Sequence, residues 1–247
     1  MPLAERSFAS ADVEEMGSSE HILADPFAIA ALVTGRWFEN CYLVQHRATG
    51  EVVIIDPGYS PESIVQEFQK LGGRAIGVIL THAHHDHVAG AAGVCQSLGA
   101  PCWIHVGDAR LLRHAPMYSL RFGGPLFKIP ESIQTFADRP GLVLGGQPVD
   151  TLLTPGHTAG SVCYRFGTAV VTGDTLLNRR VGRTDLPGGN AAVLHKSIDL
   201  LLAAISPGSL ILPGHGAPWP AAEAVEWWQK QTTAIAASPS ATGREST

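Results

Sequence analysis

The sequence predicts an α/β fold. Short apolar runs of strand character alternate with stretches whose apolar residues recur at helical spacing. At 247 residues and 45% hydrophobic, the chain can bury a substantial core. Four of the strand-like runs also end directly in histidine or aspartate, so a rigid sheet edge would present these side chains together.

Taken in order, residues 1–26 are polar and aperiodic and read as a loosely held leader. The fold is expected over 27–235, with a disordered Ser/Thr/Ala-rich tail at 236–247. Phe27–Val33, Cys41–Gln45 and Val52–Ile55 predict three strands, the last two joined by a hairpin loop at Arg47–Gly50. Asp56-Pro57-Gly58 ends the third strand, and Asp56 is read as a turn residue. Ser60 as cap and Pro61 at the first helical position open a helix whose Ile64, Val65, Phe68 and Leu71 share a face, and Gly72-Gly73 stops it. Ile76–Leu80 is a buried strand and Val88–Leu98 a helix. Cys102–Val106 follows as a strand and Gly107–His114 as a short helical piece.

Ala115–Gly141 holds Pro116, Pro125, Pro130 and Pro140, and its length marks it as an irregular loop, a candidate substrate lid or wall. Leu142–Leu144 and Val149–Leu153 are expected strands. Ser161–Phe166 and Ala169–Thr172 form a hairpin across Gly167-Thr168, glycine first, as a type II′ turn requires. Ala191–Ile205 is an amphipathic helix ended by Pro207-Gly208, and Ser209–Leu212 is the last strand.

The chemistry is concentrated at Thr81–Gly90, which reads Thr-His-Ala-His-His-Asp-His-Val-Ala-Gly between a predicted strand and a predicted helix. His82 and His84 stand two apart at a strand's end, so their side chains leave the same side and can reach one ion. Asp86 and His87 follow as the chain turns and should address a neighbouring position, while His85 falls out of phase and should face away. Imidazole and carboxylate without cysteine suit zinc, iron or manganese. Histidines also cluster on solvated loops without binding anything, but this density of ligand types directly after a buried strand argues for a metal. Further strand ends deliver His157, Asp174 and His215. His21, His46, His85, His105, His114 and His195 are read as surface or core residues.

A formal charge of −5 offers no basic face for nucleic acid. No apolar stretch approaches the roughly 20 residues of a membrane-spanning helix. Acidic residues through the first twenty positions argue against a secretory or transit signal. Cys41, Cys95, Cys102 and Cys163 are scattered without a C-x-x-C pair. Together these features read as a cytoplasmic protein in a reducing compartment, with a small-molecule substrate and neither nucleic acid nor membrane as partner.

The set H-x-H-x-D-H at His82–His87, P-G-H-T at His157, G-D-T at Asp174 and P-G-H-G at His215 resembles the metallo-β-lactamase superfamily in ligand identity and order. The resemblance covers about Phe27 to Pro220. It implies an αββα sandwich of two mixed β-sheets flanked by helices, with a metal centre at one edge. It further implies two divalent ions, zinc first, with iron or manganese as alternatives. His82, His84 and His157 would hold one, Asp86, His87 and His215 the other, and Asp174 would bridge them. Open coordination positions would make a metal-bound hydroxide the attacking group, with Asp86 both ligand and water-orienting residue.

Val181–Gly189 resembles the same segment of glyoxalase II-like members, the hydroxyacylglutathione hydrolases, and also of the persulfide dioxygenase branch. The resemblance therefore implies a hydrolase of thioesters of the S-2-hydroxyacylglutathione type. The alternatives are a mononuclear iron persulfide dioxygenase using His82, His157 and Asp174, another ester or lactone hydrolase of the superfamily, or a non-catalytic metal-binding module. β-Lactam hydrolysis fits less well, because those enzymes are typically exported. Arg183 could bind an acidic substrate group or pair locally with Asp185, the latter being the expected role. Tyr118, Arg121 and Lys128 are candidate substrate contacts by position alone. The segment after His215 is shorter than the helical domain that helps grip glutathione in full-length members, and Asn190 stands where many relatives carry an acidic residue.

Overall fold

A computed structural model describes residues 19–237, with side chains through 233. The leader expected over 1–18 and the tail expected over 238–247 lie outside the described residues. Two mixed sheets pack face to face. The first runs β1 (Glu20–Ala24), β2 (Phe27–Thr34), β3 (Glu39–His46), β4 (Glu51–Ile55), β5 (Arg74–Ile79), β6 (Cys102–His105) and β7 (Ile133–Phe136), in that spatial order. Pairing is antiparallel from β1 to β4 and parallel from β4 to β7. Its helices are α1 (Pro61–Leu71), α2 (His85–Val88), α3 (Ala91–Leu98) and α4 (Ala109–Arg121).

The hairpin of β8 (Val143–Leu144) and β9 (Gln147–Pro148) leads to the second sheet. That sheet is ordered β10 (Asp150–Leu153), β11 (Val162–Phe166), β12 (Ala169–Gly173), β15 (Leu210–Pro213), β16 (Trp219–Pro220). The small hairpin β13 (Leu176–Leu177) and β14 (Arg180–Val181) and helix α5 (Ala191–Ala204) lie between β12 and β15, and α6 (Ala221–Ala237) closes the described chain.

The period-2 geometry of strands explains how one sheet serves two cores. Tyr42 and Val44 of β3 and Val53 and Ile55 of β4 face the second sheet, where they meet Val162, Tyr164, Phe166, Val171 and Leu212. The residues between them, Cys41, Leu43, Val52 and Ile54, face the helices and pack on Ile64, Val94, Leu112 and Ala115. The outer face of the second sheet, with Cys163, Val170 and Ile211, packs on Leu194, Ile198 and Leu201 of α5 and on Trp228 of α6. Burial on both faces is why these strands read as continuous apolar runs rather than alternating ones. The αββα sandwich is therefore the observed architecture.

Several expectations are corrected. β1 lies within the span read as leader, because Glu20–Ala24 pairs in register with Phe27–Ala31. The helix expected over Val88–Leu98 is split into α2 and α3. There the Gly90 amide donates to the Pro57 carbonyl at 2.9 Å instead of continuing the helical ladder, and a side chain at Gly90 would strike the Gly58 carbonyl. The span read as an irregular loop, Ala115–Gly141, contains the rest of α4 and all of β7. Pro116 does not stop α4, whose Leu112, Ala115 and Ser119 are buried. Ser60 precedes α1 in a left-handed conformation and makes no side-chain cap, although Pro61 does open the helix. The first residues of the expected tail, 236 and 237, are helical.

The β11–β12 turn has Gly167 at φ +59° while Thr168 stays out of the left-handed region, as the type II′ geometry requires. No described helix is long and apolar enough to cross a membrane.

Candidate metal centre

All seven candidate ligands leave one edge of the sandwich. His82 and His84 follow β5, Asp86 and His87 lie on α2, and His157, Asp174 and His215 follow β10, β12 and β15. Parallel pairing of β12 with β15 sets Gly173 beside Pro213, which brings Asp174 and His215 together. The two sheets are tied at this edge by the Val162 amide on the Thr81 carbonyl (2.9 Å) and the Tyr164 hydroxyl on the Leu80 carbonyl (2.9 Å). The Tyr42 hydroxyl and the Asn40 amide both donate to the Pro213 carbonyl, at 2.7 and 2.9 Å, and so fix the strand that delivers His215.

Two clusters of possible ligand atoms match the expected division, His82 with His84 and His157, and Asp86 with His87 and His215. Asp174 stands between them. One of its oxygens is 3.5 Å from His87 Nε2, and the other is 3.6 Å from His157 Nε2 and 3.8 Å from His215 Nε2.

The imidazoles are aimed from behind. His157 Nδ1 donates to the Arg183 carbonyl at 2.7 Å. His215 Nδ1 faces the Trp37 and Phe38 carbonyls at 3.1 and 3.2 Å, and His87 Nδ1 bonds the Asp56 carboxylate at 3.0 Å. The Thr81 hydroxyl donates to Asp56, which leaves its oxygen to accept from His82 Nδ1 at 3.0 Å. Each of these four rings thus spends Nδ1 on a protein partner and turns Nε2 toward the centre. Such outer partners fix ring orientation and tautomer at metal sites.

The donor set fits a cation. His84 Nε2, His87 Nε2 and Asp174 Oδ1 are buried and have no hydrogen-bond partner among the described residues. Buried polar atoms are otherwise nearly always paired. His82 Nε2 and His157 Nε2 stand 3.2 Å apart, two ring nitrogens facing one another. Burial first, and then the crowding of neighbouring imidazoles, pushes His82 well below the usual histidine range, and burial with His157 takes His84 down to about 3. Neutral imidazoles with unspent nitrogens are the form a metal ion takes up. In the other cluster burial alone would raise Asp86, but His87 and His215 offset it and hold the carboxyl low.

Sequence reasoning missed several supporting residues. Asp56, read as a turn residue, is buried and holds both the Thr81 amide (2.7 Å) and His87. Asp108 is buried and clamps two ligand loops together: one oxygen accepts from the Ala83 amide (2.9 Å) and the Thr158 hydroxyl (2.8 Å), the other from the Gly160 amide (2.7 Å). Glu39, buried with the Thr34 hydroxyl on it, lies 4.0 Å from His87 Nδ1. The turn glycine after Asp56 is a usable signal for that residue; Asp108 carries none, because its partners lie 25 to 52 positions away.

His85 stands outside the ligand clusters and is a core residue, both as expected, but it does not face away from the centre: it lines the cleft beside His84 and Asp86. Its ring sits edge-on to Trp37 at 4.7 Å, beside Tyr59 and Phe122. A cleft of about 120 Å³ opens over the ligands, reaching His84, Asp86 and Asp174 between walls of Trp37, Leu111, Tyr118, Phe122 and Pro187. Arg183 and Tyr118 line it. Arg121 and Lys128 are exposed and lie outside that lining, so the structure does not bring them to the cleft. The Arg183 guanidinium is held by Asp185 through two 2.7 Å bonds, the local pairing expected, while its carbonyl positions His157. Asn190 caps α5, its side chain accepting from the Val193 amide at 3.1 Å.

Comparison with known proteins places these features. The metallo-beta-lactamase superfamily model matches residues 34–215. An uncharacterized protein of Mycobacterium leprae (strain TN) is 37% identical over 190 residues, covering 72% of this chain and 86% of that protein. From Bacillus subtilis (strain 168), the protein named "Probable metallo-hydrolase YqgX" is 34% identical over 172 residues, covering 67% and 80%. Among solved structures, TTHA1623 in a di-iron-bound form superposes with a TM-score of 0.71 at 33% identity, covering 78% of this chain and 94% of that one.

Proposed function

This chain belongs to the metallo-β-lactamase superfamily, and from that premise we propose that it hydrolyses thioesters of the S-2-hydroxyacylglutathione type at a two-metal centre. The observation that carries the reading is the set of sealed, unpartnered donors: His84 Nε2 and Asp174 Oδ1 belong to residues lining a cleft that reaches the surface, and His87 Nε2 lies 3.5 Å from Asp174 Oδ1. A purely structural site would be closed; an accessible one leaves room for substrate.

His82, His84 and His157 would hold one ion, Asp86, His87 and His215 the other, with Asp174 shared. Divalent ions there supply Lewis acidity and acidify a coordinated water. The protein's own part is positional. Asp56, Thr81 and the Arg183, Trp37 and Phe38 carbonyls fix the imidazoles, and Asp86, at the cleft, orients the attacking water. Trp37, Phe122, Leu111 and Pro187 exclude bulk water from the scissile carbonyl.

Two ions are favoured over one because a single ion in the three-histidine cluster leaves the sealed His87 Nε2 without a partner. The di-iron form of TTHA1623 supports iron beside zinc and manganese as occupant. The thioester class rests on the Val181–Gly189 resemblance, and Arg183 is the one cation of that segment lining the cleft.

Protein loaded with zinc, manganese or iron should hydrolyse S-lactoylglutathione and lose that activity on His82→Ala. Loaded protein inert towards every thioester in a panel contradicts the reading. One iron per chain with oxygen uptake would instead support the dioxygenase.

A further inference from the structure

One buried histidine of the cleft has no place in the metal centre, and a hydrogen-bond chain behind it determines what it can recognise. The Ser119 hydroxyl donates to the Pro125 carbonyl at 2.6 Å. Having one proton, Ser119 can only accept from the Tyr59 hydroxyl, 2.6 Å away. Tyr59 has then spent its own proton, so its oxygen can only accept from His85 Nδ1 at 3.3 Å. The neutral His85 ring therefore carries its proton on Nδ1. Nε2 is left as a lone pair.

That lone pair faces the cleft. His85 lines it beside His84 and Asp86, and Nε2 has no protein partner among the described residues yet is not one of the sealed atoms. Trp37, itself stacked on Tyr59 at 5.1 Å, packs edge-on to the ring at 4.7 Å and Phe122 lies 5.6 Å from it. An acceptor held rigidly beside the reacting atoms selects for a donor on the ligand, because a ligand lacking the donor gains nothing from the site's orientation.

We propose that His85 is a specificity-determining residue, whose Nε2 accepts a hydrogen bond from a hydroxyl or amide N–H next to the scissile carbonyl. This rests on the thioester reading above. The donor is either a hydroxyl on the acyl carbon beside the carbonyl or an amide N–H of the thiol half, and paired substrates separate the two.

The test is a kcat/KM comparison on metal-loaded protein. The first pair is the lactoyl and propionyl thioesters of glutathione; the second is the propionyl thioesters of glutathione and of ethanethiol. The wild type should prefer the donor-bearing member of one pair by about tenfold. His85→Phe, which suits the aromatic surroundings, should bring that ratio close to one, and His85→Gln, which keeps an acceptor, should restore part of it. The pair that shows the preference identifies the half that carries the donor. Equal rates within both pairs, or a preference that survives His85→Phe, overturn the proposal while leaving thioester hydrolysis standing. Inertness towards all four substrates defeats the thioester reading instead, and the proposal then stands or falls on ¹⁵N NMR of labelled histidine: an Nδ1–H tautomer at His85 supports it, and an Nε2–H tautomer overturns it.

Discussion

The Asp56 carboxylate lies 3.0 Å from Nδ1 of His87, with both side chains buried, so the orientation of one candidate ligand is set by a residue 31 positions earlier. Asp56→Asn should keep the packing but remove the charge behind the ring. Loss of such an outer partner typically weakens metal binding ~10–100-fold. Zinc titration of the apo-protein should show that loss in one of two binding steps; unchanged affinities in both would remove Asp56 from the centre.

Asp108 makes a stability prediction. Asp108→Ala leaves the Ala83 and Gly160 amides without their acceptor, in a buried place, while the Thr158 hydroxyl keeps Ser161 Oγ at 2.7 Å. Each stranded group costs about 1–3 kcal/mol. The substitution should lower unfolding free energy by several kcal/mol in a denaturant titration, and Asp108→Asn, which retains one acceptor, by less. A loss below about 1 kcal/mol would show that the clamp is not needed.

Gly182 tests the approach to His157. A Cβ there would come 2.7 Å from His157 Nδ1 and strike the Asp174 carbonyl. Gly182→Ala should therefore displace the His157–Arg183 bond and reduce bound metal per chain, read by elemental analysis, while circular dichroism remains that of the folded protein. Full metal content in Gly182→Ala would contradict the geometry.

Cysteine reactivity tests the core. Cys41, Cys102 and Cys163 are buried, and burial pushes the Cys163 thiol up to about 11. Cys95 is half-buried, and the nearby Cys102 holds its thiol below the usual range. The thiolate is the reactive form. A disulfide reagent at pH 8 should titrate about one thiol per native chain and all four after unfolding. Rapid reaction of all four in native protein would contradict the sandwich.

The ligands were legible in the sequence because each sits in a local signal, a short motif of three to six residues directly after an apolar run. His82 and His84 need only strand geometry to be paired. Asp56, Asp108 and Glu39 were not legible, since their roles exist only through partners far along the chain. α4 was hidden by Pro116, a residue that reads as a breaker but is carried by the buried face of Leu112, Ala115 and Ser119. The substrate contacts were the least legible: Tyr118 and Arg183 reach the cleft, whereas Arg121 and Lys128, chosen by the same reasoning, do not.

The central claim is that the donors around Asp174 hold a pair of ions. Anomalous scattering from crystals of metal-loaded protein tests it directly. Two peaks ~3.5–4 Å apart are predicted, one among His82, His84 and His157 and one among Asp86, His87 and His215, with Asp174 touching both. A single peak at one cluster, or metal bound away from these residues, would contradict it.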